Sequence, residues 1–337
     1  MFHHQSTPSR TILLYLCAIL ISCATRAPIS PMEDRPHHTQ PQNSKSSPPA
    51  PETTSIPLNY GESLNVIGGV IDYDNNYPAV VAITRDAKPH CSGVLIHPRL
   101  VLTAAHCVCG GSLEKGQLIL SNKSCATEAT ITTLIHSKAN PETRSIEYHK
   151  GGNITIHSDF QIILEPKDKL TDLNPRKASP RVINLKNWKV ISSKADLATI
   201  ELQEEIKTKE PISPLSISRT AVIKDDTVAL AGYGAYAVKI ENKEVIYTYD
   251  DKLTRRAGTT EIADVSKDSS LFQIKIPGPL SGAGDSGGPC LDGDEVAGIV
   301  TTSTADESTS FTSTHQYFDW IQAQIDKTVA RTSLKSN

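Results

Sequence analysis

Between about Val66 and Asp326 the apolar residues come in short runs rather than long stretches. Ala79 to Ile83, Gly93 to Ile96, Leu197 to Leu202, Val228 to Ala231, Phe272 to Ile276 and Val296 to Val300 are each four to six residues long. That length suits a buried or half-buried strand and is too short for a helix. Turn-forming Gly, Pro, Asn, Asp and Ser separate the runs at short intervals. Near the end, Gln316 to Ile325 places apolar residues at helical spacing. Many strands and one terminal helix describe an all-β barrel or sandwich.

The 337 residues leave room for one or two domains. A net charge of -3 gives no electrostatic case for a nucleic-acid partner. The first part of the chain reads differently from the rest. Arg10 is followed by Thr11 to Ile21, an uncharged and mostly apolar run. It is too short to span a bilayer comfortably and has the length and flank of a secretory signal, assigned to residues 1–22. The protein is therefore expected to be exported. Leu20-Ile21-Ser22-Cys23 resembles the lipobox of bacterial lipoproteins, in which the chain is cut before the cysteine and the thiol is lipidated. That resemblance makes Cys23 a lipidation site and anchors the protein to the cell envelope. The alternative is an ordinary signal peptide cut a few residues later, which discards Cys23 and leaves a freely secreted protein.

Residues 23–65 read as a tether. Pro28, Pro31, Pro36, Pro41, Pro48, Pro49, Pro51 and Pro57 stand among Ser, Thr, Gln and Asn, with too little apolar surface to repay ordering. The doublets His3-His4 and His37-His38 lie in these polar segments and are assigned no metal. The folded domain is placed at 66–326, and the polar residues 327–337 are expected to fray.

Gly284-Asp285-Ser286-Gly287-Gly288-Pro289 has the composition of a nucleophile turn. Glycines beside a serine permit a tight bend that aims the Gly284 and Ser286 amides at one point, where an oxyanion would form. The same residues are also ordinary turn chemistry. Thr103-Ala104-Ala105-His106-Cys107 follows the apolar run Val94 to Leu102, so His106 sits just past a strand. Asp196 heads the apolar run Leu197 to Leu202. A serine that hydrolyses amides needs a base beside it, a carboxylate to orient that base, and oxyanion donors.

These three segments occur in the order His, Asp, Ser, and with Val66-Ile67-Gly68-Gly69, Cys91-Ser92-Gly93-Val94-Leu95-Ile96 and Ala231-Gly232-Tyr233-Gly234 they are collinear with the trypsin/chymotrypsin family, which this chain resembles from about Val66 to Ile325. The resemblance implies two six-stranded antiparallel β-barrels and a C-terminal helix, with the site in the cleft between the barrels. It implies a serine endopeptidase whose triad is His106, Asp196 and Ser286, with the Gly284 and Ser286 amides as the oxyanion hole. His106 would take the Ser286 proton and return it to the leaving amine. The resemblance also pairs Cys91 with Cys107. The substrate would be a protein or peptide. The expected state is a monomer open to a protein inhibitor, with no metal and no cofactor.

In this family a cut frees an N-terminus whose ammonium is buried against the aspartate before the nucleophile. Here that pair would be Val66 and Asp285, and residues up to Asn65 would be a propeptide. Asn65 departs from the family, where Arg or Lys usually precedes the bond. Leu280, six residues before Ser286, matches the base of the specificity pocket, and Ser303 and Thr309 match its wall. Gly282 stands where a cysteine is usual. Together these imply a small or medium apolar residue before the scissile bond rather than Lys or Arg.

The stretch from His106 to Asp196 is longer than usual, and an insertion is expected around Asn140 to Pro180. Of the seven cysteines, five remain if Cys17 leaves with the signal and Cys23 is lipidated: Cys91, Cys107, Cys109, Cys125 and Cys290. The number is odd, so one thiol is left free or pairs between chains, and the partners of Cys109 and Cys125 stay open. Cys290 follows the serine closely and reads as a buried thiol. Three other readings compete. An α/β-hydrolase would need its histidine after the serine, where only His315 lies. A silent binding protein on the same fold and a structural envelope lipoprotein both leave an intact triad unexplained.

Overall fold

The computed structural model describes residues 65–85, 88–167, 188–241, 244–304 and 307–335. The signal segment, Cys23 and the tether lie outside the described residues. Along the chain the first strands are β1 (Val70–Ile71), β2 (Val80–Arg85), β3 (Lys88–His97), β4 (Leu100–Thr103), β5 (Cys109–Glu114), β6 (Gln117–Cys125) and β7 (Ala129–His136). Next come β8 (Arg144–Ile156), β9 (Gln161–Pro166), β10 (Trp188–Lys194), β11 (Ala198–Leu202), β12 (Ser216–Ile217), β13 (Thr227–Gly232) and β14 (Ala237–Glu241). The last are β15 (Glu244–Thr248), β16 (Arg256–Val265), β17 (Leu271–Lys275), β18 (Pro289–Asp292), β19 (Glu295–Thr304) and β20 (Ser308–Ser313), followed by a helix over Phe318–Lys335.

Six strands close into a first barrel in the order β11-β4-β3-β2-β7-β8, all pairs antiparallel. Every residue of β4 and β11 is buried, the polar Thr103, Thr199 and Glu201 included. Val81, Ile83, Leu102, Ile131 and Ile200 fill the interior. A second barrel runs β16-β13-β18-β19-β20-β17 and closes through β16–β17. Its core holds Val228, Leu230, Ile262, Ile274 and the stacked pair Phe272–Phe311, with ring centroids 5.0 Å apart. Strand β1 extends the sheet beside β16, and β12 joins β19 in parallel. Two closed six-stranded barrels with one C-terminal helix are the fold that the resemblance implied. Barrels, helix and connecting segments form one compact unit.

Two expectations are corrected. Asn140 is not part of an insertion: it lies in the tight turn between β7 and β8, where its carbonyl accepts the Thr143 amide. Within the expected stretch, β9 joins β5, β6 and β10, which lie outside it, in a four-stranded antiparallel sheet, β10-β9-β6-β5. Leu118, Ile162 and Leu164 bury one face of this sheet against the first core. Residues 168–187 lie outside the described residues. A disulfide between Cys109 and Cys125 joins β5 to β6, settling the open pairing, and Cys290 is free and buried. The second correction concerns the tail, which is helical through Lys335 rather than frayed after Lys327. Thr328 is buried, Arg331 Nη1 donates to Glu201 Oε2 at 2.5 Å, and Arg99 Nη1 donates to Thr332 Oγ1 at 3.3 Å. Those contacts hold the last turns against the first barrel despite their polar sequence.

Candidate active site

His106 occupies a single 3₁₀ turn, Ala105–Cys107, directly after β4. The Cys91–Cys107 disulfide, with Cα atoms 6.0 Å apart, ties that turn to β3. Asp196 sits between β10 and β11 with no solvent exposure. Its Oδ1 accepts the His106 amide at 2.9 Å, and its Oδ2 meets His106 Nδ1 at 2.6 Å. A carboxylate only accepts, so Nδ1 carries the proton and Nε2 keeps its lone pair. Burial works against the imidazolium, but the Asp196 charge and its hydrogen bond outweigh that effect, so the His106 pKa is raised.

Asp196 has a third partner that the sequence reading did not identify. Thr301 Oγ1, on β19 of the second barrel, donates to Asp196 Oδ2 at 2.5 Å, and Ser193 Oγ on β10 lies 3.4 Å from the same hydroxyl. Thr301 lies on β19 two residues before Ser303, which the resemblance places on the pocket wall. A hydroxyl needed for a buried carboxylate beneath the base was the signal available there.

Ser286 lies on a turn between the cleft and β18. Gly284 has φ 103° and Gly287 φ 81°, left-handed conformations in which a side chain is strained. Gly287 also has no room, because a Cβ there would lie 2.1 Å from Thr103 Oγ1. The turn is set by main-chain bonds from Asp285 to Gly282, Gly288 to Asp285 and Gly287 to Val300, and by the Ser92 amide donating to the Ser286 carbonyl at 2.8 Å. Neither the Gly284 nor the Ser286 amide donates to a main-chain carbonyl among the described residues. The Cys107 sulfur lies 4.0 Å from His106 Nε2 and 3.4 Å from the Ser286 carbonyl oxygen, so the base and the serine turn flank the same atom. No hydrogen bond joins the Ser286 hydroxyl to His106 among the described residues. A cavity of about 500 Å³, lined in part by Cys107, Val108, Tyr148 and His149, opens beside this disulfide.

Asp285 is buried and accepts the Gly234 amide at 2.7 Å and the Gly282 amide at 2.8 Å. Burial raises its pKa to about 6 against the lowering effect of those two amides. No salt-bridge partner faces it among the described residues. Val66 is buried with φ 35°, a strained value for a β-branched residue. Its nitrogen is an amide, because the Asn65–Val66 bond is intact. Ile67 forms an antiparallel bridge with Leu280, whose amide donates to the Ile67 carbonyl at 2.8 Å.

Leu280 packs in the second core with Val66 and Ile67. Thr309 is buried and its Oγ1 accepts the Ser281 amide at 2.8 Å, while the exposed Ser303 donates to the Ser281 carbonyl at 2.8 Å. The three residues assigned to the specificity pocket therefore converge on the segment Leu280–Ser281. Cys91, His106 and Cys107 cluster closely enough to suggest metal ligands, but the disulfide consumes both sulfurs.

The sequence model of the Trypsin family matches residues 66–321. A snake venom serine protease from Naja atra is 24% identical over 271 residues, covering 77% of this chain and 79% of the relative. Brachyurin from Leptuca pugilator is 23% identical over 267 residues, covering 77% of this chain and 98% of the relative. Among solved structures, a mutant of human heparin binding protein superposes with a TM-score of 0.51 at 15% identity, over 77% of this chain and 96% of that one.

Proposed function

Because the chain belongs to the trypsin family, we propose that it is a serine endopeptidase acting on protein or peptide substrates through His106, Asp196 and Ser286. Nε2 of His106 takes the Ser286 proton as Oγ attacks the scissile carbonyl, and the Gly284 and Ser286 amides receive the oxyanion. The same nitrogen then protonates the departing amine, leaving an acyl-serine that water hydrolyses by the reverse proton path. Asp196 holds the tautomer and offsets the imidazolium charge. The observation that carries this reading is the 2.6 Å contact between Asp196 and Nδ1, which leaves Nε2 as the free base beside the serine turn.

The finer reading is that the protein is exported, either lipid-anchored at Cys23 or secreted, and matured by a cut before Val66. The new ammonium would then pair with Asp285, which is buried and has no cation against it among the described residues. Leu280 as an apolar pocket base, with Ser303 and Thr309 on the wall, favours small or medium apolar residues before the scissile bond. The working unit is a monomer, and a protein inhibitor would act by occupying the same cleft.

The test is labelling with a fluorophosphonate, followed by cleavage profiling of protein whose N-terminus has been verified as Val66. Wild type reacts at Ser286, and Ser286→Ala does not. Strong cleavage after Lys or Arg would overturn the specificity assignment alone. One observation favours a second reading, a binding protein on this fold without turnover: the serine and imidazole make no hydrogen bond among the described residues. Absence of labelling in protein with a free Val66 terminus would establish that reading instead.

A further inference from the structure

We infer that Ser92 is a positioning residue for the oxyanion site, its hydroxyl on the first barrel fixing the peptide that lies between the two oxyanion amides on the second. The inference rests on the protease reading above. Ser92 follows Cys91 on β3 and has no solvent exposure. Its Oγ donates to the Gly284 carbonyl at 3.0 Å and accepts the Tyr233 amide at 3.0 Å. Its own amide donates to the Ser286 carbonyl at 2.8 Å, and its carbonyl accepts Thr103 Oγ1 at 2.8 Å. One residue thus grips the nucleophile turn at two carbonyls and is itself held from both sides.

The geometry gives these bonds a consequence beyond joining the barrels. The Gly284 amide belongs to the peptide before Gly284, and the Ser286 amide to the peptide after Asp285. Between them lies the Gly284–Asp285 peptide, whose carbonyl is the one that Ser92 Oγ holds. Gly284, at φ 103°, has no side chain to restrict rotation about that peptide. With the carbonyl pinned, the two flanking amides keep a fixed relative direction, which is what a preorganised oxyanion site requires. Removing the hydroxyl leaves the Gly284 carbonyl and the Tyr233 amide without their partner in a buried place, and the turn can relieve this only by rotating.

The experiment uses processed protein with Val66 at its N-terminus and compares wild type, Ser92→Ala, Ser92→Gly and Ser286→Ala. Three quantities are measured: kcat and KM on a peptide amide, affinity for a peptidyl aldehyde that forms an oxyanion adduct, and affinity for the matching alcohol, which cannot. Both Ser92 variants are expected to lose about ten-fold in kcat with KM within about two-fold, the loss expected when the bond that orients the Gly284 carbonyl goes. Aldehyde affinity falls by the same factor, and alcohol affinity stays unchanged. A wild-type kcat in either folded variant overturns the inference. So does a rise in KM and loss of alcohol affinity that track a lower Tm, the signature of a purely structural role. Failure of both variants to fold would assign the hydroxyl to barrel assembly and overturn it as well. If wild type neither turns over substrate nor labels at Ser286, the protease reading falls and the inference falls with it.

Discussion

The two barrels bring their parts of the site to different stages. On the first, His106 and Asp196 are already joined by two hydrogen bonds, one from the main chain and one from the ring, and a disulfide holds the histidine turn. On the second, the Ser286 turn is shaped, but the carboxylate beneath it is buried with amides for partners and no cation among the described residues. The first half depends on secondary structure and covalent ties, which exist as soon as the chain folds. In the proposed maturation, the second half would gain from the new Val66 terminus a charge that no described residue places against Asp285. Under the proposed cut before Val66, the base would be independent of processing, and the oxyanion turn would be where processing acts.

The largest effect expected from breaking the first half is in Asp196→Asn. With the charge gone the tautomer is no longer enforced, and kcat should fall by about 10⁴-fold, the loss established for the chymotrypsin triad. The same variant should move the pH profile. Asp196 raises the His106 pKa, and only neutral His106 accepts the serine proton, so wild-type activity rises as pH rises through a value above that of an ordinary histidine. In Asp196→Asn the rise shifts to lower pH. A profile of kcat/KM against pH checks both, and an unmoved midpoint would show that Asp196 does not set the base.

The second half is tested by its pH response before and after the cut. Protein with the Asn65–Val66 bond intact should be at least about 100-fold less active than protein beginning at Val66, the scale of a misplaced oxyanion donor. Its stability should also depend on Asp285. In the folded intact chain that carboxyl has a pKa raised to about 6, so it binds its proton more tightly than in the unfolded chain. The stabilisation is complete below the ordinary carboxyl range and is lost as pH rises through about 6. His106 contributes with the same sign, and so the diagnostic quantity is the difference from Asp285→Asn, in which that loss disappears. Processing should remove it too, because an ammonium favours the charged carboxylate. Thermal unfolding of the three proteins between pH 5 and 7.5 separates these cases; identical pH slopes would refute the pairing.

The same contrast explains what could be read from the sequence. His106, Asp196 and Ser286 each sit in a local pattern, a strand end or a glycine turn, and those patterns are set by backbone requirements within a few residues. Both barrels were legible for the same reason, since β4 and β11 of the first are buried throughout and Val296 to Val300 on β19 of the second is a buried apolar run. Thr301 and Ser92 were missed because their roles are set by residues about a hundred or more positions away in the chain, Asp196 for one and Gly284 for the other. The four-stranded sheet was legible only as an expected insertion around Asn140 to Pro180, which includes β9, because β5 is a glycine-containing, mostly exposed strand whose sequence carries no apolar alternation. The helix beyond Lys327 was missed because its partners, Arg99 and Glu201, lie on the first barrel.

Thr301 crosses between the two halves, so Thr301→Val measures how much the second barrel contributes to the first. Its hydroxyl donates to Asp196 Oδ2, and valine keeps the shape while removing the donor. About a ten-fold loss in kcat/KM is expected, smaller than for either preceding change because both His106 bonds to Asp196 remain. The Asp285-dependent pH slope of the intact chain should be unaltered. A loss as large as that of Asp196→Asn would mean that the first half is not assembled independently.

The smallest effect belongs to the last turns of the helix, whose Arg331 and Thr332 meet Glu201 and Arg99 of the first barrel. Arg331 pairs with Glu201 but is about half exposed, and Glu201 keeps Asn153 Nδ2 at 3.2 Å and Arg99 at 3.6 Å when that partner goes. Solvent screening and the surviving contacts limit the cost of Arg331→Ala to about 0.5 kcal/mol, or roughly 1–2 °C in Tm for a domain of this size. Glu201 lies on β11, five residues after Asp196, so the variant loosens the strand that carries the orienting carboxylate without touching the serine turn. Fluorophosphonate labelling at Ser286 should proceed at the wild-type rate at 25 °C and diverge only near the unfolding transition. A reduced rate well below that transition would show that the carboxylate's geometry depends on the helix as well as on its own barrel.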